Sequence, residues 1–378
     1  MTSVPEGLRT WIDIDRKAIR HNFGVFKKLI TPRTKLMAVV KSNGYGHGLI
    51  DFSKEMEKLG ADFLGVDSIV EARALRHEGI KTPILVLGYT LPELFPEAVS
   101  HDIALTVSSF ETLGAIRKSK LEKPLKIHIK VDTGMHRQGF MHDDLKKVIK
   151  NFQFPISHFQ VDGLFTHFAS AKNPAFPHDT FAQIAEFEHW ITAFREAGLK
   201  PIVHASATAG TLLFPRANYD MVRVGIGLYG LWPAKEVKAY LENRITLKPA
   251  LVWKSLISEI KKLPAGTRIG YDLTEELWRD STVAVVPVGY WHGYPRALSS
   301  IGRVLVKGSP AKVLGRVSMD MLTVDISSVR DARVGDEVIM LSQNADSPAS
   351  AEGICSLVDT SWYEVITRIN PLIKRIYR

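Results

Sequence analysis

Short runs of consecutive apolar, mostly β-branched residues recur through the first two-thirds of the chain, each followed by a longer stretch with apolar positions at helical spacing. The runs are LMAVVK (36–41), FLGVD (63–67), PILVLG (83–88), IALTV (103–107), KIHIKV (126–131), VDGLFTH (161–167), PIVHAS (201–206) and MVRVGI (221–226). They are continuous rather than alternating, which predicts strands buried on both faces, as in a parallel sheet covered by helices. Between them, IVEARALRHEG (69–79) and DTFAQIAEFEHWITAFREAG (179–198) carry helical periodicity, the first stopping at Gly79. Eight strand–helix units are the count of a closed (β/α)8 barrel, whose usual size is about 250 residues.

The pattern changes near residue 245. From ALVWKSLISEIKKL (250–263) onward, STVAVVPVGY (281–290), GRVLV (302–306), AKVLGRV (311–317), LTVDIS (322–327) and DEVIML (336–341) are short and separated by turns. Only SAEGICSLVDT (350–360) reads as a helix there. The expected organisation is α/β: a TIM-like (β/α)8 barrel over residues 1–244, then a mostly-β C-terminal domain over 245–378.

Composition narrows the setting. The 378 residues are 45% hydrophobic and 24% charged, values of an ordinary globular protein. No apolar run reaches the length of a membrane span, and MTSVPEGLRTWIDID lacks the basic start and apolar stretch of a secretion signal. Cys355 is the single cysteine, so no internal disulfide forms and a reducing, cytoplasmic setting is expected. The net charge of +9 comes from basic residues interleaved with acids. Clusters such as FKKLI, LKKVIK and EIKKL read as the polar faces of amphipathic elements, so neither nucleic acid nor membrane is expected as a partner.

The candidate chemistry lies at strand ends. In a barrel the C-terminal ends of the strands share one rim, where active sites of this fold sit. Lys41 ends the first run, Arg137 lies in the loop after the fifth, His167 ends the sixth, Thr208 follows the seventh and Gly225 lies in the eighth. A lone rim lysine is ordinarily a snorkelling surface group, and a lone histidine a hydrogen-bonded structural one; their shared placement favours function. SATAGT (206–211) and GIG (225–227) put small residues and a hydroxyl where barrels bind phosphate, although small residues also serve tight turns. KSNGYGHG is not a nucleotide P-loop, because its lysine precedes the glycines. A rim phosphate site beside a lysine points to a phosphorylated carbonyl cofactor, of which pyridoxal 5'-phosphate is the obvious one.

VVKSNGYGHG resembles the cofactor-lysine motif of the alanine racemases. KVDTGMHRQGF (130–140), GLFTHFA (163–169), MVRVGIGLYG (221–230), RIGYD (268–272), VPVGYWHGYPR (286–296), LGRVSMD (314–320) and WYEV (362–365) are similar to that family's motifs in order and spacing, over nearly the whole chain. The resemblance implies a pyridoxal-phosphate-dependent racemase interconverting L-alanine and D-alanine, with no metal. It also implies a head-to-tail homodimer whose sites take residues from the partner's β domain. Lys41 would hold the cofactor and act as one base, and Tyr271, from the other subunit, as the second base on the opposite face. Arg223 would face the pyridine nitrogen, braced by His167. Tyr45, Thr208, Gly225, Ile226 and Tyr363 would hold the phosphate, and Arg137 would contact the cofactor oxygen and the substrate carboxylate. Lys130 stands where the family can carry a carbamylated lysine, and Tyr290, Met319 and Asp320 would complete the substrate entrance.

Three departures from the family pattern stand out. Ala207 replaces an asparagine, Gln138 a leucine, and Trp291-His292 a small residue and an aspartate. Racemisation of serine or another small amino acid on the same fold and cofactor stays open as the alternative.

Overall fold

The computed structural model describes residues 5–152 and 158–378, so the first four residues of the segment read for a secretion signal lie outside it. The chain forms two compact units. One comprises Ile19–Gly44 and Leu49–Leu247; the other comprises the N-terminal segment through Ala18, Tyr45–Gly48 and Lys248–Arg378. Among the described residues, no helix is long and apolar enough to cross a membrane.

The first strand, β1 (Thr10–Ile14), belongs to the second unit. The first unit is a closed parallel barrel of β2 (Lys35–Val39), β3 (Phe63–Val66), β4 (Ile84–Val86), β5 (Ile103–Val107), β6 (Leu125–Lys130), β7 (Phe159–Phe165), β8 (Ile202–His204) and β9 (Met221–Val224). Closure runs through β2 and β9, with Leu36 opposite Val222. All eight expected strands are present within a few residues of their expected ends. Every residue of β4 and β5 is buried, as strands covered on both faces require. The helix Ile69–His77 starts at Ser68, whose side chain accepts from Glu71 N, and stops before Gly79, left-handed at φ 84°. The helix His178–Glu196 buries Ile184, Phe187, Ile191 and Phe194, the three- and four-residue spacing of a single face.

Inside the barrel, Gly163 on β7 lies opposite His128 on β6. A Cβ at position 163 would sit 2.0 Å from His128 Nδ1, so only glycine leaves room for that imidazole. Gly163→Ala is therefore expected to destabilise the protein by about 3 kcal/mol, the combined effect of overpacking and a lost buried hydrogen bond. A lower denaturant midpoint at unchanged slope checks this; an unshifted midpoint refutes it.

The second unit holds a nine-stranded sheet. Its later strands fall where the short runs predicted them, but β1 pairs antiparallel with Leu251–Leu256 (Thr10 opposite Ser255) and parallel with Lys374–Tyr377. The chain thus opens in this sheet rather than in the barrel domain, and the barrel unit ends at Leu247, near the expected 244. TWIDI carries no local sign of its partners, which come from the far end of the chain. A second difference is the helix Trp362–Thr367, expected as non-helical. Ser361 caps it by accepting from Glu364 N, a serine-x-x-glutamate start that was visible in the sequence.

Candidate active site

Lys41 follows the end of β2 and opens an unusual turn. Ser42, Asn43, Gly44 and Tyr45 all lie in the left-handed region, at φ 55°, 56°, 58° and 49°. Each non-glycine residue there is disfavoured by roughly 1–2 kcal/mol, so the turn needs anchors. Glu71 Oε1 accepts from Ser42 N (2.7 Å) and Asn43 N (3.3 Å), while its Oε2 accepts from Asp67 N (2.8 Å). Asn43 Oδ1 accepts from Leu49 N, and Gly44 N donates to Val40 O. Lys41 Nζ, half-exposed, donates to Asp67 Oδ1 at 2.9 Å. The lysine is thereby held at the mouth of the barrel, between the ends of β2 and β3.

Arg223 on β9 is buried, and among the described residues no carboxylate pairs with it. Its Nη2 donates to Thr166 O (2.7 Å) and Ala205 O (2.8 Å) and lies 3.2 Å from His167 Nδ1; its Nη1 lies 2.9 Å from His204 Nδ1. Arginine can only donate, so His204 Nδ1 must accept and His204 carries its proton on Nε2. That proton points at His128 Nδ1, 2.9 Å away. His128 therefore carries its own proton on Nε2, which has no hydrogen-bond partner among the described residues. Burial and the adjacent guanidinium hold all three rings neutral: His128 and His167 are pulled down to about 3, and His204 well below the usual imidazole range. Burial also lowers Arg223 to about 9, which still leaves it protonated at neutral pH.

The charges of Arg223, Arg137, Lys130 and Lys41 all act on His167, which marks them as one cluster. Asp132 shapes the loop that carries Arg137. Its Oδ1 accepts from Gly134, Met135 and His136 N–H groups and its Oδ2 from Arg137 N. Burial pushes this carboxyl up, but the four backbone donors outweigh it and hold Asp132 below the usual range. Buried Lys130 donates to Gln138 Oε1 at 3.3 Å, and burial with the neighbouring Arg137 and Arg223 lowers it to about 8. On the other side, Thr208 begins the helix Thr208–Leu213, and its Oγ1 accepts from Gly225 N (3.2 Å) and Gly227 N (3.4 Å). Ile226 starts the next turn, and a Cβ at Gly227 would meet Phe26 at 2.3 Å. This corner offers a hydroxyl and closely approachable backbone to an anion.

Residues 14–233 match the family profile of the alanine racemase N-terminal domain, and residues 250–377 that of the C-terminal domain. The chain belongs to the alanine racemase family. It is 38% identical to the alanine racemase of Methanococcus maripaludis, over 97% of this chain and 98% of that one, and 37% identical to that of Halothermothrix orenii, over 98% and 97%. Among solved structures it is similar to the alanine racemase of Clostridium difficile 630, at a TM-score of 0.91 and 34% identity over 98% of this chain and 96% of that one. It is likewise similar to that of Bacillus anthracis, at 0.92 and 32% over 99% and 96%. As an alanine racemase family member the chain is an isomerase.

The remaining residues named by the alanine racemase resemblance lie in the second unit. Tyr45 and Tyr363 have ring centroids 6.2 Å apart. Gly46 allows this, since a Cβ there would lie 2.0 Å from Ile366 O on the helix that carries Tyr363. Burial, then the neighbouring Tyr45, pushes the Tyr363 hydroxyl well up. Tyr271 is exposed on the turn Tyr271–Leu273, where Asp272 is left-handed and pairs with Arg316 Nε at 3.1 Å. Tyr290 N donates to Ser318 O and Trp291 N to Met319 O, so Tyr290, Met319 and Asp320 meet on adjoining segments. A Cβ at Gly289 would strike both acceptor carbonyls. His292, one of the departures, is buried and accepts from Gly289 N through Nδ1, so it closes its own turn.

Sequence reasoning missed Asp67, Glu71, Asp132, His128 and His204. Only the two histidines had a signal, as polar residues within buried apolar runs.

Proposed function

We propose that this chain interconverts L-alanine and D-alanine with pyridoxal 5'-phosphate, using Lys41 and Tyr271 as bases on opposite faces of the substrate. The observation that carries the reading is Arg223, a buried cation with only neutral acceptors, in one cluster with Lys41, Arg137 and His167. The donor set suits the cofactor: an amine for its carbonyl, a permanent cation for its ring, and a hydroxyl with glycine-rich backbone for its phosphate. When bound, the cofactor supplies an electron sink that acidifies the Cα–H of the amino acid it carries.

The residues do the rest. Lys41 Nζ takes or returns the Cα proton on one face, and the Tyr271 hydroxyl of a second copy does so on the other, as inversion requires. Arg223 would face the ring nitrogen and, as a group that keeps its proton, would favour proton return over side reactions. Thr208, Gly225 and Ile226, with the hydroxyls of Tyr45 and Tyr363, would hold the phosphate. Arg137 holds the substrate carboxylate, and Tyr290, Met319 and Asp320 border the entrance. The exposed Tyr271, Trp278, Tyr290, Trp291, Met319 and Met321 support burial of this surface against a second copy. A cytoplasmic setting fits the single cysteine.

In deuterated water, L-alanine is expected to yield D-alanine labelled at Cα, while L-serine under the same conditions turns over far more slowly. Chiral chromatography with mass detection reads both. Turnover of serine alone, or inversion without label, overturns the reading.

Lys130 provides a separate expectation. With its pKa near 8, about one in ten of these amines is neutral at pH 7 and open to carbon dioxide. A carbamate there would pair with Arg137. Carbon-13 NMR in labelled bicarbonate is expected to show one carbamate signal that grows as pH rises through 8 and vanishes in Lys130→Ala. No signal, or one that survives the substitution, refutes this.

A further inference from the structure

Three side chains with metal-ligand chemistry meet outside the residues assigned above, between the turn His142–Asp144 and the long helix His178–Glu196. Glu186 and His189 stand three residues apart on that helix, so they project from one face. His142 Nδ1 lies 2.8 Å and 3.0 Å from the two oxygens of Glu186, and His189 Nδ1 lies 3.6 Å from Oε2. One donor atom from each residue falls within 4.8 Å of the other two. We propose that His142, Glu186 and His189 bind one borderline divalent transition-metal ion, Zn²⁺ foremost, with water filling the remaining position.

The ligand set argues for the metal class. Two imidazoles and a carboxylate are a recurring three-ligand zinc set that leaves one position for water. Imidazole nitrogen favours zinc, copper and nickel over magnesium and calcium. Tetrahedral zinc with bonds of about 2.1 Å needs its donors roughly 3.4 Å apart. The spacings to Glu186, 2.8 Å from His142 and 3.6 Å from His189, fall on either side of that value, and the two histidine side chains, 60% and 67% exposed, have room to adjust around an ion.

The carboxylate is the fixed member. Glu186 is 23% exposed, and the buried indole of Trp190 donates its Nε1–H to Glu186 Oε1 at 3.1 Å. That bond orients the carboxylate, with both oxygens near His142 Nδ1 and Oε2 near His189 Nδ1, the arrangement by which outer hydrogen bonds position a ligand. The family resemblance implied no metal, and in the sequence His142 stands more than forty residues from the Glu186-x-x-His189 pair.

Equilibrium dialysis of the full chain against Zn²⁺ at pH 7.5, with elemental analysis, tests the site. The expected result is one ion per chain in the micromolar range or tighter. His142→Ala and His189→Ala should each weaken binding at least tenfold, with circular dichroism and racemase activity in chelator unchanged. Replacing Zn²⁺ by Co²⁺ should give a visible ligand-field band that the double variant lacks. Absence of such an ion in the wild type, or equal binding by wild type and either variant, overturns the proposal. Should one variant fail to fold, the other decides, since His142 and His189 lie on different elements.

Discussion

Lys41→Ala is expected to fold normally yet purify without the visible absorbance of bound cofactor, with racemase activity lowered by about four powers of ten or more. The fold should tolerate the change because nothing structural depends on this amine. Its half-exposed pair with Asp67 contributes at most about 1 kcal/mol. The left-handed turn behind it is held by Glu71, Asn43 and Val40 instead. Loss of cofactor with retained circular dichroism thus separates a chemical role from a structural one. A variant that stays yellow and active would remove Lys41 from the reaction.

Tyr271→Phe is expected to keep the cofactor absorbance but lower kcat by roughly 10²–10⁴, the range for one general acid–base group. The loss should be unequal between the L-to-D and D-to-L directions when Cα deuterium exchange is followed for each enantiomer. The hydroxyl sits on an exposed turn fixed by the Asp272–Arg316 pair, so removing it should leave stability nearly unchanged. Mixing this variant with Lys41→Ala adds a test of where the tyrosine acts. If each site takes Lys41 from one chain and Tyr271 from the other, random reassortment should restore about a quarter of wild-type activity. Equal, trivial effects in both directions, or no recovery on mixing, would remove Tyr271 as the second base.

The barrel was legible because strands covered by helices leave short, largely apolar β-branched runs, and the eight strands followed from those runs and the helical stretches between them. β1 was not, because its sheet partners lie at residues 251–256 and 374–377, and a five-residue run carries no trace of them. The helix bearing Tyr363 was readable from Ser361 and Glu364 but was passed over among short strands. At the candidate site, strand ends picked out rim positions, and the family resemblance supplied the roles. The supporting groups escaped both routes. Glu71 acts through backbone N–H groups of a turn whose handedness no residue type announces, and Asp132 likewise works through the main chain of its own loop.

The buried row in the barrel has an evolutionary consequence. Gly163 makes room for His128, His128 fixes the proton of His204, and His204 receives Arg223. A change at any one leaves a clash or an orphaned donor at the next, so single steps away from this set pass through a weakened protein. In descendants of this chain the four positions should be inherited as a block, replaced together or not at all, while exposed positions away from the site drift freely.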